Sequence, residues 1–268
     1  MKNKNFERII YYPRVLATFA RLSLMTVFEY RLSGLLILVR SFLSFLVVVG
    51  FFEIIFGKTG QIGGWDKPQI FLFYGVFLLA DTVFDMFLQG DLFRLGEYVE
   101  EGTLDLVLSK PSHPLFLLTF RRIKIFNVFN IILSFLVINA AANSLKIVFS
   151  PFTALFFFVL LLSGVVIYYC LYAIVATFSF WTTRTPYFEL LETVSGIARY
   201  PLDIFGKSWQ IFFTFLVPMI FYVTVPVKFL LGAVDWLAAV SPLVAAFFLF
   251  LVLRFWRFAV RSYSGAGS

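Results

Sequence analysis

Apolar residues along this chain gather into runs long enough to matter on the scale of a bilayer, and charged residues mark where each run stops. A helix crosses the hydrocarbon with about 20 apolar residues. Runs of that kind cover 32–56, 69–89, 125–142, 151–181 and 236–253, and a sixth, 208–231, is apolar but carries Pro218 and Pro226. Each proline removes a backbone donor and bends or interrupts a helix, so this stretch either crosses or dips in and returns. The pattern predicts an all-α integral membrane protein with six transmembrane helices. Two further stretches are amphipathic. Within the segment 1–31, Arg8, Arg14, Arg21 and Glu29 alternate with Ile9, Leu16, Phe19, Leu22 and Phe28, the composition of a helix lying in the headgroup plane. In 91–110, Leu92, Leu95 and Val99 recur at helical spacing among Arg94, Glu97, Glu100 and Glu101. Gly102 then breaks that helix before Leu104 and Asp105, and Pro111 and Pro114 end it. The stretches between runs are short, so a single membrane domain over 1–268 is expected.

Composition strengthens this picture. The chain is 61% hydrophobic and 14% charged, with 38 phenylalanines among its 268 residues, too little polarity to cover a water-soluble surface. The amino-terminal stretch is basic and interrupted and shows no cleavable leader, so the first span is expected to be retained. Basic residues set the orientation, because they stay on the cytoplasmic side during insertion. With both termini in the cytoplasm, seventeen of the 22 fall inside and only Lys58, Lys67, Lys146 and Lys228 outside, with Arg40 left within the first span. The inside set includes Arg184, Arg199 and Lys207. A cytoplasmic membrane with anionic lipid then accounts for the net charge of +7, and no nucleic-acid partner is needed. The one cysteine, Cys170, excludes an internal disulfide and a cysteine-rich metal site.

Few residues suggest chemistry. Gly57-Lys58-Thr59 echoes the end of a phosphate-binding loop, but Phe52 stands where the first glycine belongs, so a glycine-rich turn is the better reading. Asp81 and Asp85 lie one helical turn apart, a pairing that could hold a divalent metal in an intramembrane enzyme. A simpler role exists for Asp81. Counted inward at about 1.5 Å per residue, it and Arg40 reach the same depth, so the two are expected to form an intramembrane ion pair. Glu53 is too far along the helix from Arg40 to share it and should reach the outer interface. His113, the only histidine, reads as a loop residue between two prolines, and most phenylalanines as lipid-facing or packed between helices. No metal or cofactor is expected on this chain.

The stretch Glu101-Gly102-Thr103-Leu104-Asp105-Leu106-Val107-Leu108-Ser109-Lys110-Pro111, closed by Pro114, resembles the loop between the second and third spans of type-2 ATP-binding-cassette exporter permeases. Glu29-Tyr30-Arg31, Arg199-Tyr200-Pro201 with Ile204-Phe205, the pair Pro218 and Pro226, and the tail Tyr263-Ser264-Gly265-Ala266 support the resemblance, which extends over nearly the whole chain. The branch it resembles often has two related permeases and one ATPase. The resemblance implies a non-catalytic six-helix permease that dimerises with an identical or related chain. It implies two copies of a separate ATPase that bind the ATP and Mg2+. It also implies a coupling helix over 91–110, with Leu92, Leu95, Val99, Gly102, Leu104 and Asp105 at the contact, and short re-entrant helices before the last span. In that case the fifth crossing would fall at 188–200 instead of 208–231. An ATP-independent carrier, channel or scaffold is the alternative function. A carrier of inverted repeats would show likeness between 32–142 and 151–253, and none is visible.

Overall fold

The computed structural model describes residues 4–29, 31–182, 189, 193, 196–233 and 235–263, the side chains of 4–10, 27, 28, 31 and 33 excepted. Five helical stretches in it are long and apolar enough to cross a membrane, at 34–58, 67–88, 125–144, 151–180 and 236–262. In chain order, α1 (Lys4–Glu29) precedes α2 (Arg31–Lys58), and a two-stranded hairpin, β1 (Gln61–Ile62) and β2 (Trp65–Asp66), leads into α3 (Lys67–Val83). Gly63 and Gly64 turn the hairpin at φ 57° and 84°, the left-handed conformation that a two-residue connection requires. Short helices α4 (Leu95–Glu100), α5 (Leu104–Leu108) and α6 (Pro114–Phe120) follow, then α7 (Val128–Ser144) and α8 (Pro151–Thr177). Last come α9 (Lys207–Ile211), α10 (Thr224–Leu230) and α11 (Trp236–Ser262).

Local chemistry sets several of these boundaries. α8 starts where Ser150 accepts a hydrogen bond from the Thr153 amide (3.1 Å), with Pro151 at the first helical position, where no donor is lost. α3 starts after Asp66, whose amide donates to the Gln69 side chain (3.0 Å). Its other end widens into a π-turn at Phe84–Leu88.

Two helix pairs make the body of the bundle. α3 lies along α7, where Gly75 permits close approach: a Cβ there would stand 2.9 Å from Ile138 Cγ1. α8 lies along α11, which buries Val252, Trp256 and Ala259. In lipid there is no hydrophobic drive between helices, so such contacts hold by dispersion and close fit. The hairpin marks one end of the bundle. Arg94, Arg121, Arg122, Lys124, Arg254, Arg257 and Arg261 mark the other, the basic end. α1 lies against that end, with Tyr11 Oη 2.8 Å from Ser112 Oγ, Tyr12 edge-on to Phe116, and Ser23 Oγ accepting from the Ile123 amide.

Of the two courses open to residues 208–231, crossing or dipping in and returning, the structure has the second. α9 and the π-turn Phe212–Leu216 descend, the chain reverses at Pro218, and α10 climbs back. Side-chain contacts fix the depth of each part. Near the hairpin, Ile204 packs on Gly63 and Lys228 pairs with Asp203 at 2.7 Å. Phe229 stacks on Phe156 in the opening turns of α8, whereas Tyr222 stacks on Tyr168 halfway down it. Both limbs therefore open toward the hairpin end. Gly164 makes this possible, since a Cβ there would lie 2.2 Å from the Phe221 carbonyl oxygen. Pro226 sits in the first turn of α10, where its absent donor would be unpaired in any case.

Phe178–Phe180, beyond the end of α8, touches α4 at the basic end, whereas Tyr200 meets Phe52 and Arg199 sits over the Phe77 ring (5.6 Å), toward the hairpin. The alternative fifth crossing, 188–200, lies largely outside the described residues, as do Arg184 and the tail 264–268. Lys207, three residues after the Ile204 that packs on Gly63, lies toward the hairpin, apart from the basic residues it was grouped with, and Arg199 sits within the bundle beside Phe77. The excess of basic residues at the other end survives the change.

Candidate functional site

Two features stand out from the packing: an anchored ridge at the basic end and a cleft beside α2. The ridge begins at Gly90 and Asp91. Gly90 takes φ 48°, and a Cβ on it would lie 2.1 Å from the Thr119 carbonyl oxygen, so the backbone of α6 passes where a side chain would be. Asp91 is fully buried, and Arg122 Nε lies 2.7 Å from its Oδ1 with Arg121 Nη1 at 3.9 Å from Oδ2. The Arg122 approach lacks hydrogen-bond geometry, so Oδ1 is held by charge alone, while Oδ2 accepts from Tyr98 Oη at 3.0 Å. The Asp91 amide donates to the Leu118 carbonyl (2.7 Å). These bonds clamp the start of the ridge to the end of α6. Nothing in the spacing of residues singled out Asp91; the available signal was the Arg121-Arg122 pair at the end of α6.

From this anchor the chain makes a 3-10 turn (Leu92–Arg94), then α4, a turn at Gly102 with φ 67°, and α5. The contact set expected from helical spacing divides between two sides. Leu92, Leu95 and Leu104 are each 0% exposed and face the bundle. Val99 and Gly102 are half-buried, and Asp105 is exposed. The outward side instead shows Phe93 (43% exposed) and Leu106 (68%), surrounded by exposed Glu97, Glu100, Glu101 and Asp105. Arg94 is turned along the ridge by an ion pair with Glu97 (2.7 Å).

The second feature follows from how α2 is held. At the basic end Gly34 is buried against Phe126, whose ring stands 2.0 Å from where a Cβ would be, and toward the hairpin Phe52 packs on Phe71 and Tyr74. Between these two pins α2 touches α3 where the Phe45 ring stacks on Tyr74 (6.3 Å) but leaves a gap beside α3 and α7. The gap holds a polar cavity of about 320 Å3, lined by Arg40, Ser41, Ser44, Asp81, Asn127 and Asn130, with Asp85 at its wall. An apolar cavity of about 330 Å3 continues it toward the hairpin, with Phe45 lining both. The ion pair of Glu53 with Lys67 (2.7 Å) lies at its far end.

Arg40 and Asp81 thus share a cavity, yet the direct ion pair expected between them is not formed. Arg40 is an exposed side chain on α2, and the charges acting on Asp81 are those of Asp85, Arg199 and Lys124. Asp85 is engaged: the Lys124 ammonium contacts one oxygen and Asn127 Nδ2 donates to the other at 2.6 Å. The Asp81–Asp85 metal reading therefore meets an ammonium where the cation would sit. Among the described residues no group of three His, Cys, Asp or Glu side chains is placed to hold a metal ion. Gly57 and Lys58 close α2, so the phosphate-loop echo has neither the strand nor the following helix it would need. His113 begins α6, and burial with the nearby Arg257 charge lowers its pKa below the ordinary value.

A family model described as an ABC-2 family transporter protein matches residues 35–267. The chain belongs to this family. It is a multi-pass membrane permease of an ABC transporter, a membrane component that does not itself hydrolyse ATP and that works with an ABC ATPase subunit. No match is found among curated proteins or among solved structures. In the permease the matched stretch takes in α2 onward, so both the ridge and the cleft lie within it.

Proposed function

We propose that this permease forms the substrate pathway of an ATP-driven exporter and that the ridge over 92–108 is where separate ATPase subunits push on it. Two ATPase copies would carry the ATP and Mg2+, and a second permease, identical or related, would complete the pathway. The basic end would then face the cytoplasm of the inner membrane, with both termini on that side, as the excess of basic residues there favours. Coupling of this kind needs a segment that is apolar on both sides. One side grips the bundle and the other enters a partner's groove. The division of Leu92, Leu95 and Leu104 inward from Phe93 and Leu106 outward is the observation that carries the proposal.

The anchor at Asp91 gives the ridge its mechanical use. Asp91 comes three residues after the π-turn that ends α3, and its amide is tied to α6, so displacement of the ridge would be passed to the helix that lines the cleft. ATP-driven closure of the ATPase pair can shift the permease only through contacts that differ between its two states. Phe93 and Leu106 are placed to make them. The test is capture of the ATPase by the tagged permease: Phe93→Asp and Leu106→Asp should each abolish capture while leaving the folded yield unchanged. Leu92→Asp and Leu95→Asp should lower the folded yield itself, because an unpaired carboxylate enters a packed site. Undiminished capture in both outward variants would contradict the coupling assignment.

A further inference from the structure

The cleft between α2 and the α3–α7 pair has the two-part character of an amphiphile, and its polar part carries charge of both signs. Arg40 and Asp81 line one cavity, and neither has an ion-pair partner among the described residues. The other acid at the wall, Asp85, is already neutralised by Lys124. Arg199 acts on Asp81 from the face of the Phe77 ring, outside this cavity. What remains for a ligand is one guanidinium and one carboxylate, with Ser41, Ser44 and Asn130 as neutral hydrogen-bonding groups. Toward the hairpin the lining turns apolar through Phe45, Val49, Phe71, Val137 and Ala141.

We infer that the cleft binds a zwitterionic amphiphile, its anionic group on Arg40, its ammonium on Asp81 and its apolar chain along Phe45 and Phe71. A purely anionic ligand leaves Asp81 unmatched in a low-dielectric site, and a purely cationic one leaves Arg40 unmatched, so each loses to a ligand carrying both charges. Arg40 suits the anionic role, since a guanidinium makes paired hydrogen bonds to phosphate or carboxylate oxygens. The gap beside α2 between its two pins gives the ligand a lateral entrance from the bilayer, which a chain-bearing molecule needs. The same charge pairing would serve a zwitterionic lipid headgroup or a small soluble zwitterion, and only the former uses the apolar part.

This inference rests on the reading of the chain as a substrate-carrying permease, and its test does not involve the ATPase. The intact chain in neutral detergent is titrated with four probes, read by native mass spectrometry: dioctanoyl phosphatidylethanolamine, dioctanoyl phosphatidylglycerol, dodecyltrimethylammonium and chain-free glycerophosphoethanolamine. Phosphatidylethanolamine should bind about tenfold tighter than either singly charged probe, and the chain-free headgroup should not be retained. Arg40→Gln should move the preference to the cationic probe and Asp81→Asn to phosphatidylglycerol, opposite shifts that a general loss of structure does not produce. Equal binding of the three amphiphiles by the unaltered chain overturns the inference even if both variants fail to fold, as does an unchanged ranking in both variants. Retention of the chain-free headgroup as tightly as the lipid overturns the amphiphile assignment. Loss of ATPase capture in Phe93→Asp with this ranking intact would instead leave the binding inference standing.

Discussion

Single residues at the basic end carry more of the structure than their polarity suggests. Asp91 is wholly buried while Arg122 is half exposed, so the two halves of the pair are not equivalent. Arg122→Ala leaves a buried carboxylate short of its counter-charge, whereas Asp91→Asn leaves a neutral amide that can still accept from Tyr98. The expected result is that Arg122→Ala lowers stability more than Asp91→Asn, by a margin on the order of 1–3 kcal/mol in chemical denaturation. At Gly90 even alanine is excluded by the α6 carbonyls, and Gly90→Ala should lose most of the folded yield in detergent. His113 gives a pH signature. Its folded-state pKa is depressed, so as pH falls through the ordinary histidine value the unfolded chain takes up the proton first, and stability present above about pH 6.5 is lost below it. Amide exchange in α6, corrected for its intrinsic pH dependence, should therefore be faster relative to reference at pH 5 than at pH 7.5, and His113→Asn should remove the difference.

At the scale of elements, apolar length was legible and path was not. The runs at 32–56, 69–89, 125–142, 151–181 and 236–253 correspond to helices because continuous apolar sequence has no stable alternative in lipid to a hydrogen-bonded helix. The run at 208–231 has the same composition but returns on itself. What distinguishes it is Pro218 at the reversal and Gly164 on a different helix, a pairing that no window along the chain can weigh. Likewise the spacing of Leu92 and Leu95 identified an apolar face, but helical periodicity does not tell which side faces the bundle and which faces a partner. The buried Asp91 clamp was missed for the same reason, since its arginines arrive from α6. Labelling tests the re-entrant path directly. Cysteines placed at Ser208 and Ala233 should react from one side of the membrane and a cysteine at Ser109 from the other; reaction of Ser208→Cys and Ala233→Cys from opposite sides would restore a crossing there. The native Cys170 is buried and should not interfere.

For the whole molecule, the proposed coupling makes the ridge and the cleft two ends of one mechanical path: ridge, Asp91 anchor, π-turn, α3, cleft. The family assignment establishes an ABC transporter permease; that the ATPase acts on the ridge and substrate sits in the cleft is our proposal. Its central claim concerns where the ATPase meets this chain. The most direct measurement places a photo-crosslinking amino acid at Phe93, Leu106, Leu104 or Val148 in the complex and identifies the adducts. Phe93 and Leu106 should crosslink to the ATPase, while buried Leu104 and Val148, exposed between α7 and α8 toward the hairpin end, should not. Adducts from Val148, or none from either Phe93 or Leu106, would contradict the account.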